Sequence, residues 1–380
     1  MAAERPKICY ILPRYDLATG SHFFHLYELI SRAAEYLDIN LVIEKAIGGQ
    51  PSLRVPFRVQ SFSWPPFRFL ELVLLLVRER LRGCRNFYTH YSFYGGVASW
   101  VVTRIFGGRA FYWNCGIPWL YRRSWLEERV FRFVLRHLIL VTGTPKIAER
   151  YREKYRLQRD RIRILSNWVN AERFRNAPSR EEARRRLGIA PEAKAVLFVH
   201  RLSRRKGAHL IPDIAGEVIR LRLNASADSA KPRRDVIFLV VGTGPEEESL
   251  KLKVKSLKLA PDVRMVGEVP HRELPAYYRA ADVFLMPSEE EGFPHVLLEA
   301  MASGLPHVAS DVGGVREITP QELHEYLVPS GDTVEFARKL LDLLTMPSHQ
   351  RERLAQREQE WAKRYDLGAI LLQFTGLFES

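Results

Sequence analysis

Residues 281–310, ADVFLMPSEEEGFPHVLLEAMASGLPHVAS, contain the pattern strand, loop, helix, strand. An apolar run ends at Met286, Pro294 suits the first turn of a helix, and Gly304 suits the position just past its end. Strands that are apolar throughout and alternate with helices are typical of a parallel sheet covered on both faces. The stretch therefore predicts a doubly wound α/β fold.

One residue of the expected helix does not fit an apolar interior. Glu299 stands between Leu298 and Ala300 in a segment that is hydrophobic on nearly all sides, as buried helices are. Its carboxylate either lies on a single solvent-exposed stripe with His295 and Ser303 or meets a polar group inside the protein. The helix alone favours neither alternative.

The same alternation of strands and helices continues along the chain. It is regular from residue 194 onward and less regular in the first half. Because 380 residues exceed one ordinary domain, we predict two Rossmann-like domains that face each other across a cleft. The expected N-terminal domain is 1–170, the linker is the polar stretch 171–190, and the C-terminal domain is 191–358.

Cysteine usage and hydropathy exclude several classes of protein. The three cysteines, Cys9, Cys84 and Cys115, have no CxxC spacing, so neither a disulfide framework nor a cysteine zinc site is indicated. The apolar run 69–77 is shorter than the roughly 20 residues that cross a bilayer, and Glu71 interrupts it. The N-terminus resembles a first strand more than a signal peptide. We therefore expect a cytoplasmic protein without a transmembrane span.

The positive charge is concentrated in the first half of the chain. The net charge is +14; residues 1–170 hold 27 Lys or Arg against 13 Asp or Glu, whereas residues 171–380 hold 31 of each. Such asymmetry indicates that one domain meets an anionic surface, and both nucleic acid and acidic lipid qualify.

Two loops that follow predicted strands have the composition of anion sites. Arg201 and Lys206 stand five residues apart after one strand, where fixed cations can hold a phosphate. A solvated basic loop that binds no ligand would contain the same residues. When this loop is considered without the other motifs, we favour that explanation. Gly242 and Gly244 follow another strand and allow close approach of a ligand, but they also suit a tight turn.

A third loop adds acceptors for hydroxyl groups. Glu291 and Gly292 precede the helix at 294–303, whose first amides can bind phosphate. Two carboxylates, Glu291 and Glu299, make poor phosphate ligands but good acceptors for sugar hydroxyls. The combination of cations, a helix start and carboxylates indicates a nucleotide sugar.

Five motifs occur in one order between residues 194 and 318, and together they carry a resemblance. They are Arg201 with Lys206, VVGTGPEEESL at 240–250, VRMVGEVPHRELPAYYRAADVFLMPS at 263–288, Glu291-x7-Glu299, and DVGGVREI at 311–318. The chain resembles the retaining GT-B glycosyltransferases of glycosyltransferase family 4, also called glycosyl transferases group 1.

The resemblance implies a role for each donor-side residue. Arg201 and Lys206 would hold the donor diphosphate, Glu291 the hydroxyls of the transferred sugar, and Glu299 the nucleotide ribose. The catalytic group would then be Glu291, Arg201 and Lys206. The remaining donor-binding residues would be Gly242, Gly244, Gly292, Phe293 and Pro294. The segment 359–380 resembles the family's terminal helix, which packs back on the first domain.

The acceptor side departs from the family pattern. Gly20 and Ser21 stand where members usually have a glycine pair in the first strand-to-helix turn. Where members commonly have a histidine after a later strand, this chain has Asn114 or a neighbour. His90 is another candidate, although a lone histidine at a strand end is more often a structural residue.

These inferences predict a hexosyltransferase that uses a nucleotide-diphosphate sugar. No DxD-type carboxylate cluster is suitably placed, so we expect no metal or other cofactor. The segment 118–137 interleaves aromatic and arginine side chains, as the headgroup region of an anionic membrane favours. An ordinary core-facing helix with a solvated arginine face is an equally good explanation of that segment.

Partners and alternatives follow from the same residues. We expect a lipid-linked or membrane-associated acceptor and peripheral docking on the cytoplasmic membrane face, and no nucleic acid, because no recognition motif accompanies the charge. The alternatives are a glycoside hydrolase, a GT-B-like sugar-nucleotide epimerase and a catalytically silent binding scaffold. The motifs do not specify the base, the sugar or the acceptor.

Overall fold

The structure is a computed structural model, and it describes residues 5–16, 23–49, 53–225 and 235–379. The chain divides into two compact units, which are Met1–Ser166 with Leu367–Ser380 (unit 1) and Asn167–Asp366 (unit 2). Both units are α/β and built on parallel sheets, so the predicted fold class is confirmed.

The elements of unit 1 alternate between strands and helices along the chain. Its strands are β1 (Lys7–Leu12), β2 (Tyr15–Asp16), β3 (Asp38–Ile43), β4 (Ala46–Ile47), β5 (Phe57–Val59), β6 (Asn86–His90), β7 (Arg109–Trp113), β8 (Ile139–Thr142) and β9 (Ile162–Ile164). Its helices are α1 (Phe23–Ala33), α2 (Pro65–Leu81), α3 (Phe93–Phe106), α4 (Trp125–His137), α5 (Pro145–Tyr155) and, from the C-terminus, α15 (Leu367–Glu379).

The elements of unit 2 continue the same order. Its strands are β10 (Lys194–Val199), β11 (Val236–Val241), β12 (Val263–Gly267), β13 (Val283–Met286), β14 (His307–Ser310) and β15 (Leu327–Val328). Its helices are α6 (Ala171–Arg175), α7 (Arg180–Leu187), α8 (Ile211–Ala225), α9 (Glu247–Ser256), α10 (Leu274–Ala280), α11 (His295–Ser303), α12 (Val315–Ile318), α13 (Thr333–Thr345) and α14 (Ser348–Ala362).

Two predicted boundary regions have structure of their own. The residues 171–190, for which we predicted a linker, carry α6 and α7 and lie in unit 2. The residues 359–380, for which we predicted one terminal helix, contain the end of α14 in unit 2 and the whole of α15 in unit 1.

Unit 1 is a seven-stranded parallel sheet in the order β5-β3-β1-β6-β7-β8-β9, with a separate small pair β2-β4. Helices α2 and α3 cover one face, where Leu72 and Val102 pack with Cys9 of β1. On the other face, the rings of Phe374 and Phe378 in α15 pack against Tyr88 of β6, with ring centroids 5.2 and 5.9 Å away. The C-terminal helix therefore completes the core of the first unit.

Unit 2 has a six-stranded parallel sheet in the order β12-β11-β10-β13-β14-β15. The chain first builds outward from β10 through β11 and β12, and then returns to the other side of β10 with β13. The point between β10 and β13 is thus a topological switch point, where open α/β sheets leave a crevice beyond the carboxyl ends of the strands. If the predicted donor residues form a single site, they do so in this crevice.

A buried carboxylate connects three elements of unit 2. Asp282, the residue before β13, accepts hydrogen bonds from the guanidinium groups of Arg180 and Arg184 in α7 and from the backbone N–H of Ala195 in β10, each 2.8 Å long. Asp282 and Arg184 are both buried. Since a buried charge must be paired to be tolerated, this interaction fixes α7 against the sheet.

We predict that Asp282→Asn lowers the free energy of unfolding of unit 2 by about 3–5 kcal/mol, because removing one partner leaves a buried guanidinium without its counter-charge. Asp213→Asn is the matched control: its carboxylate pairs with Lys253 at 2.5 Å, but both side chains are about 40% exposed, so we expect less than about 1 kcal/mol. Urea titrations of both variants measure the difference. Equal midpoints for the two would contradict a structural role of Asp282.

Candidate active site

The candidate site lies at the switch point of unit 2. Strands β10 and β13 are direct neighbours, with Val196 opposite Val283 and Leu197 opposite Phe284. Their carboxyl ends therefore release two loops side by side: the β10 loop, residues 200–207, and the β13 loop, residues 287–294. The parallel arrangement brings together residues that are 85 positions apart in the sequence.

The centre of the site is an ion pair between these loops. The Lys206 ammonium lies 2.7 Å from Glu291 Oε1, and the Ser288 hydroxyl donates to the same oxygen at 2.8 Å. Lys206 and Glu291 are both buried. A turn of 3-10 helix, Arg204–Lys206, directs the lysine inward, while its two arginines stay exposed. The β10 loop is thus more than a solvated basic loop.

The charge of Glu291 is fixed by its surroundings. Burial by itself raises the pKa of a carboxyl group, but the Lys206 ammonium and the His200 imidazole oppose it and hold the pKa of Glu291 well below its ordinary value. Glu291 is therefore a permanent carboxylate near neutral pH. It can accept hydrogen bonds from hydroxyl groups, but it cannot donate a proton.

His200 is a member of this cluster that the sequence analysis missed. Its Nδ1 accepts a hydrogen bond from the backbone N–H of Arg201 at 2.9 Å, which leaves the proton on Nε2, 3.5 Å from Glu291 Oε1. Burial is the main cause that lowers the pKa of His200, and the charge of the neighbouring Lys206 lowers it further. The signal was available in principle, because His200 is the last residue before Arg201 at the end of an apolar strand.

Arg201 does not join the ion pair. Its side chain is exposed and makes neither a hydrogen bond nor an ion pair with other residues in the described part of the chain. The structure thus separates the two predicted phosphate ligands: Lys206 is buried and paired, whereas Arg201 projects from the mouth of the β10 loop.

Gly242 and Gly244 hold the loop after β11 against the β10 loop. Gly242 has φ of +127°, and a Cβ on it would lie 2.0 Å from the carbonyl oxygen of His200. Gly244 has φ of +159°, and a Cβ on it would lie 2.3 Å from the carbonyl oxygen of Leu202. Both glycines therefore have a structural reason for their identity, which is the close packing of two backbones.

The β13 loop is anchored where it enters α11. The carbonyl oxygen of Phe293 accepts a hydrogen bond from Asn167 Nδ2 at 2.7 Å, and its buried ring packs edge-on against Tyr365 at 5.5 Å. Pro294 is the residue that precedes α11, and Gly292 lies partly exposed beside Glu291. The predicted helix start is thus real, and its position is fixed by contacts within unit 2.

Glu299 is buried and meets polar groups inside the protein. Its two oxygens lie 2.8 Å from His271 Nε2 and 2.8 Å from the Tyr278 hydroxyl. His271 Nδ1 is 3.1 Å from the Arg173 guanidinium, an obligate donor, so the imidazole proton is on Nε2 and points at Glu299. Of the two positions considered for Glu299, the interior one is correct and the exposed stripe is wrong. His271 and Tyr278 were not predicted as site residues.

The acceptor-side candidates lie in unit 1 or outside the described residues. His90 is buried at the end of β6, where Nδ1 lies 3.1 Å from the Tyr10 hydroxyl and the ring stacks on Trp113 at 4.0 Å. Asn114 follows β7, and its Oδ1 accepts from the backbone N–H of Gly116 at 2.9 Å. Gly20 and Ser21 lie outside the residues that the structure describes. These contacts favour a structural explanation for His90.

Comparisons with known proteins find a family match within unit 2 and structures with a similar fold. Residues 179–361 match the family described as glycosyl transferases group 1. A D-inositol 3-phosphate glycosyltransferase of Corynebacterium urealyticum is 31% identical over 250 residues, which are 64% of this chain and 56% of that protein. The chain spans about half the length of the curated relatives it matches.

Solved structures are similar over nearly the whole chain. Anabaena HepE in complex with UDP-glucose has a TM-score of 0.78 at 18% identity, with 98% of both chains covered. WaaG, a glycosyltransferase involved in lipopolysaccharide biosynthesis, has a TM-score of 0.73 at 16% identity, with 98% of this chain and 100% of WaaG covered. Residues 179–361, which make up most of unit 2, therefore match the glycosyl transferases group 1 family, and the chain has the GT-B fold of the solved glycosyltransferases to which it is similar.

Proposed function

We propose that the chain is a retaining hexosyltransferase of glycosyltransferase family 4. It would move a hexose from a nucleotide-diphosphate sugar to a lipid-linked or membrane-associated acceptor in glycan or glycolipid assembly. The observation that carries the proposal is the buried pair of Lys206 and Glu291, which lies beside the start of α11 at the switch point. An ammonium, a permanent carboxylate and helix amides in one crevice match a diphosphate joined to a sugar.

Each part of the site has a proposed role. Lys206, Arg201 and the first amides of α11 would stabilise the charge that develops on the leaving diphosphate. Glu291 would accept hydrogen bonds from sugar hydroxyls. Glu299 would hold the ribose: a carboxylate oxygen accepts more than one hydrogen bond, so the bonds from His271 and Tyr278 orient the group without excluding a hydroxyl.

The proposed reaction needs no metal and no covalent intermediate. The acceptor hydroxyl attacks the anomeric carbon on the face from which the diphosphate departs. As the bond between that carbon and the diphosphate oxygen breaks, the acceptor proton passes to the leaving phosphate. The nucleoside diphosphate is already a competent leaving group, so charge stabilisation is the main catalytic need.

Two relatives guide the choice of substrates. HepE was solved with UDP-glucose, which makes UDP-glucose the first donor to test. The curated relatives are named for transfer to D-inositol 3-phosphate, a phosphorylated sugar alcohol, and an acceptor with a phosphate suits the basic unit 1. Membrane association would place a lipid-linked acceptor within reach.

The structure favours transfer over hydrolysis. A glycoside hydrolase needs a carboxylic acid of raised pKa to protonate the leaving oxygen, whereas Lys206 and His200 hold the pKa of Glu291 low against the effect of burial. An epimerase would convert the donor without an acceptor, and a silent scaffold would bind the donor without turnover. Both differ from a transferase in their products.

The proposal includes peripheral docking on the cytoplasmic membrane face, and the start of helix α4 supports contact with a membrane. Its inward side buries Phe131, Val134 and Leu135, as an ordinary core-facing helix does. Its start exposes Trp125, and the Arg129 guanidinium lies over that ring at 5.0 Å. An exposed tryptophan beside an arginine suits the headgroup region of an anionic membrane.

The proposal is tested by a donor screen with UDP-, GDP- and ADP-sugars in the presence of EDTA, with and without a lipid extract. Calorimetry measures binding and mass spectrometry identifies products. We expect one donor to bind and to be hydrolysed slowly, and the lipid extract to convert hydrolysis into transfer. An epimerised donor sugar or binding without turnover would favour the alternatives, and strict dependence on a divalent cation would refute the metal-free reaction.

Lys206→Ala should lower the rate of transfer, or of donor hydrolysis, by a factor of about 10²–10³, because it removes a donor that faces the leaving group. Arg204→Ala is the matched control from the same turn. The Arg204 side chain is 73% exposed, and its ion pair with the exposed Glu289 is long, at 3.8 Å. Loss of Arg204 should therefore leave the rate unchanged. Normal turnover in Lys206→Ala would argue against the proposed arrangement.

His200→Gln should remove part of the acid sensitivity of folding. Because the folded pKa of His200 is lowered, the unfolded chain binds more protons below pH 6.5, and stability is lost as the pH falls from 6.5 toward the folded pKa. Between pH 7.5 and 5.5 the wild type should lose up to about 1.4 kcal/mol more than the variant. Urea titrations at both pH values measure this, and equal losses would show that the imidazole is not held neutral.

A further inference from the structure

Helix α2 carries an apolar stripe on its outer side. Its inner side is buried through Leu72 and Leu76. The stripe consists of the side chains of Phe62, Trp64, Phe67, Leu70 and Leu74, each more than half exposed. The apolar run 69–77, which is too short to cross a membrane, thus contributes side chains both to the core and to the surface.

The stripe has a defined shape. The Phe67 ring lies 5.9 Å from the Phe62 ring and 5.1 Å from the Trp64 ring. Behind Phe67 the surface forms an apolar depression of about 370 Å³, lined by Phe62, Phe67, Leu70, Glu71, Leu74, Leu75 and Arg78. The aromatic cluster is therefore arranged before any partner binds.

Glu71, which lines the depression, fixes the chain segment that precedes α2. The Glu71 oxygens accept hydrogen bonds from the backbone N–H groups of Ser61 (2.9 and 3.0 Å) and Phe62 (3.1 Å). This interaction fastens the chain before α2 against the helix and keeps the Phe62 ring beside Phe67. Glu71 thus organises the apolar surface.

The stripe belongs to a larger helical layer with an excess of arginine. Helix α3 packs between α2 and α4 on one face of the sheet. The three helices together contain seven arginines against four glutamates, and the strands and loops between them add five more arginines within residues 62–137. Exposed apolar side chains recur along the layer, at Ile105 near the end of α3 and at Trp125 and Leu126 in α4.

Charge decides which partner this surface fits. If two copies paired through the stripe, two surfaces that each carry an excess of arginine would repel each other. An anionic bilayer attracts the arginines and accepts the aromatic and leucine side chains below its headgroups. Helix α2 has 17 residues, about 25 Å at 1.5 Å per residue, and an amphipathic helix of that length lies flat in the interface.

We propose that the apolar stripe of α2 inserts into the interface of an anionic membrane, with the arginines of the α2-α3-α4 layer contacting lipid headgroups. The inference rests on the proposed membrane-associated function, and it assigns the principal lipid contact to α2 in place of the segment 118–137. The donor site in unit 2 takes no part in it, so the two proposals can fail separately.

Vesicle flotation with the whole chain tests the insertion. The double variant Phe67→Ser with Leu74→Ser should bind vesicles of equal parts phosphatidylglycerol and phosphatidylcholine at least tenfold more weakly than the wild type. Leu252→Ser is the matched control: Leu252 lies on α9 of unit 2 and is 68% exposed, against 60% for Leu74. The control should bind like the wild type, and pure phosphatidylcholine should bind neither well.

A single fluorescent label locates the contact. The native cysteines, Cys9, Cys84 and Cys115, are all buried, so a thiol-reactive environment-sensitive dye should attach to Leu74→Cys alone. Its emission should shift to the blue when phosphatidylglycerol vesicles are added, and the same dye on Leu252→Cys should not shift. A shift at position 252 and none at position 74 would overturn the proposal.

Two further outcomes separate the explanations. Unchanged vesicle binding by the double variant would overturn insertion by α2, and so would a wild-type dimer in sedimentation velocity that the double variant converts to monomer. UDP-glucose binding, measured by calorimetry without lipid, should be equal in the wild type and the double variant. Equal binding shows that the variant is folded. If neither protein bound any UDP-, GDP- or ADP-sugar of the donor screen, the proposed enzyme would be contradicted and the proposed membrane surface would not.

Discussion

The buried ion pair between Lys206 and Glu291 depends on the order of strands in unit 2. Neither charge is tolerated inside a protein without the other, and the two residues come from loops that are far apart in sequence. They meet because β10 and β13 are neighbours in a parallel sheet and end at the same edge. The sheet core, the tight glycine contacts and the anchored start of α11 all serve to keep these two loop ends together.

Other buried carboxylates of unit 2 are also paired with groups from other segments of the chain. Asp282 connects α7 to the sheet, and Glu299 meets His271 and Tyr278 beside α11. Each buried carboxylate is satisfied by donors from distant segments, so each acts as a positional constraint as well as a charge. The consequence for function is a site whose carboxylates are oriented by the protein before a sugar arrives, which reduces the reorganisation needed during the reaction.

The sequence was sufficient for the features that local patterns encode. Apolar runs and helix signals predicted the alternation of strands and helices and the start and end of α11, because burial and capping act over a few residues. It could not identify partners of single side chains. His200 follows an apolar strand, and His271 and Tyr278 lie within the motif at 263–288, but their contacts with Glu291 and Glu299 arise only when the chain folds. For the same reason the sequence did not distinguish Arg201 from Lys206, although the two residues differ in burial and pairing.

The two units divide the physical work between them. Unit 2 has balanced charge and pairs its buried ions both at the switch point and between α7 and the sheet, whereas unit 1 carries the excess of arginine together with exposed aromatic and leucine side chains. An exposed apolar stripe lowers the solubility of a protein. Folding does not require the stripe, because the inner side of α2 and the helix α15 complete the core of unit 1. Its arginine-rich surroundings oppose self-association and favour an anionic partner. A surface that is both apolar and rich in arginine is best explained by contact with an anionic lipid bilayer, which is apolar below its negatively charged headgroups.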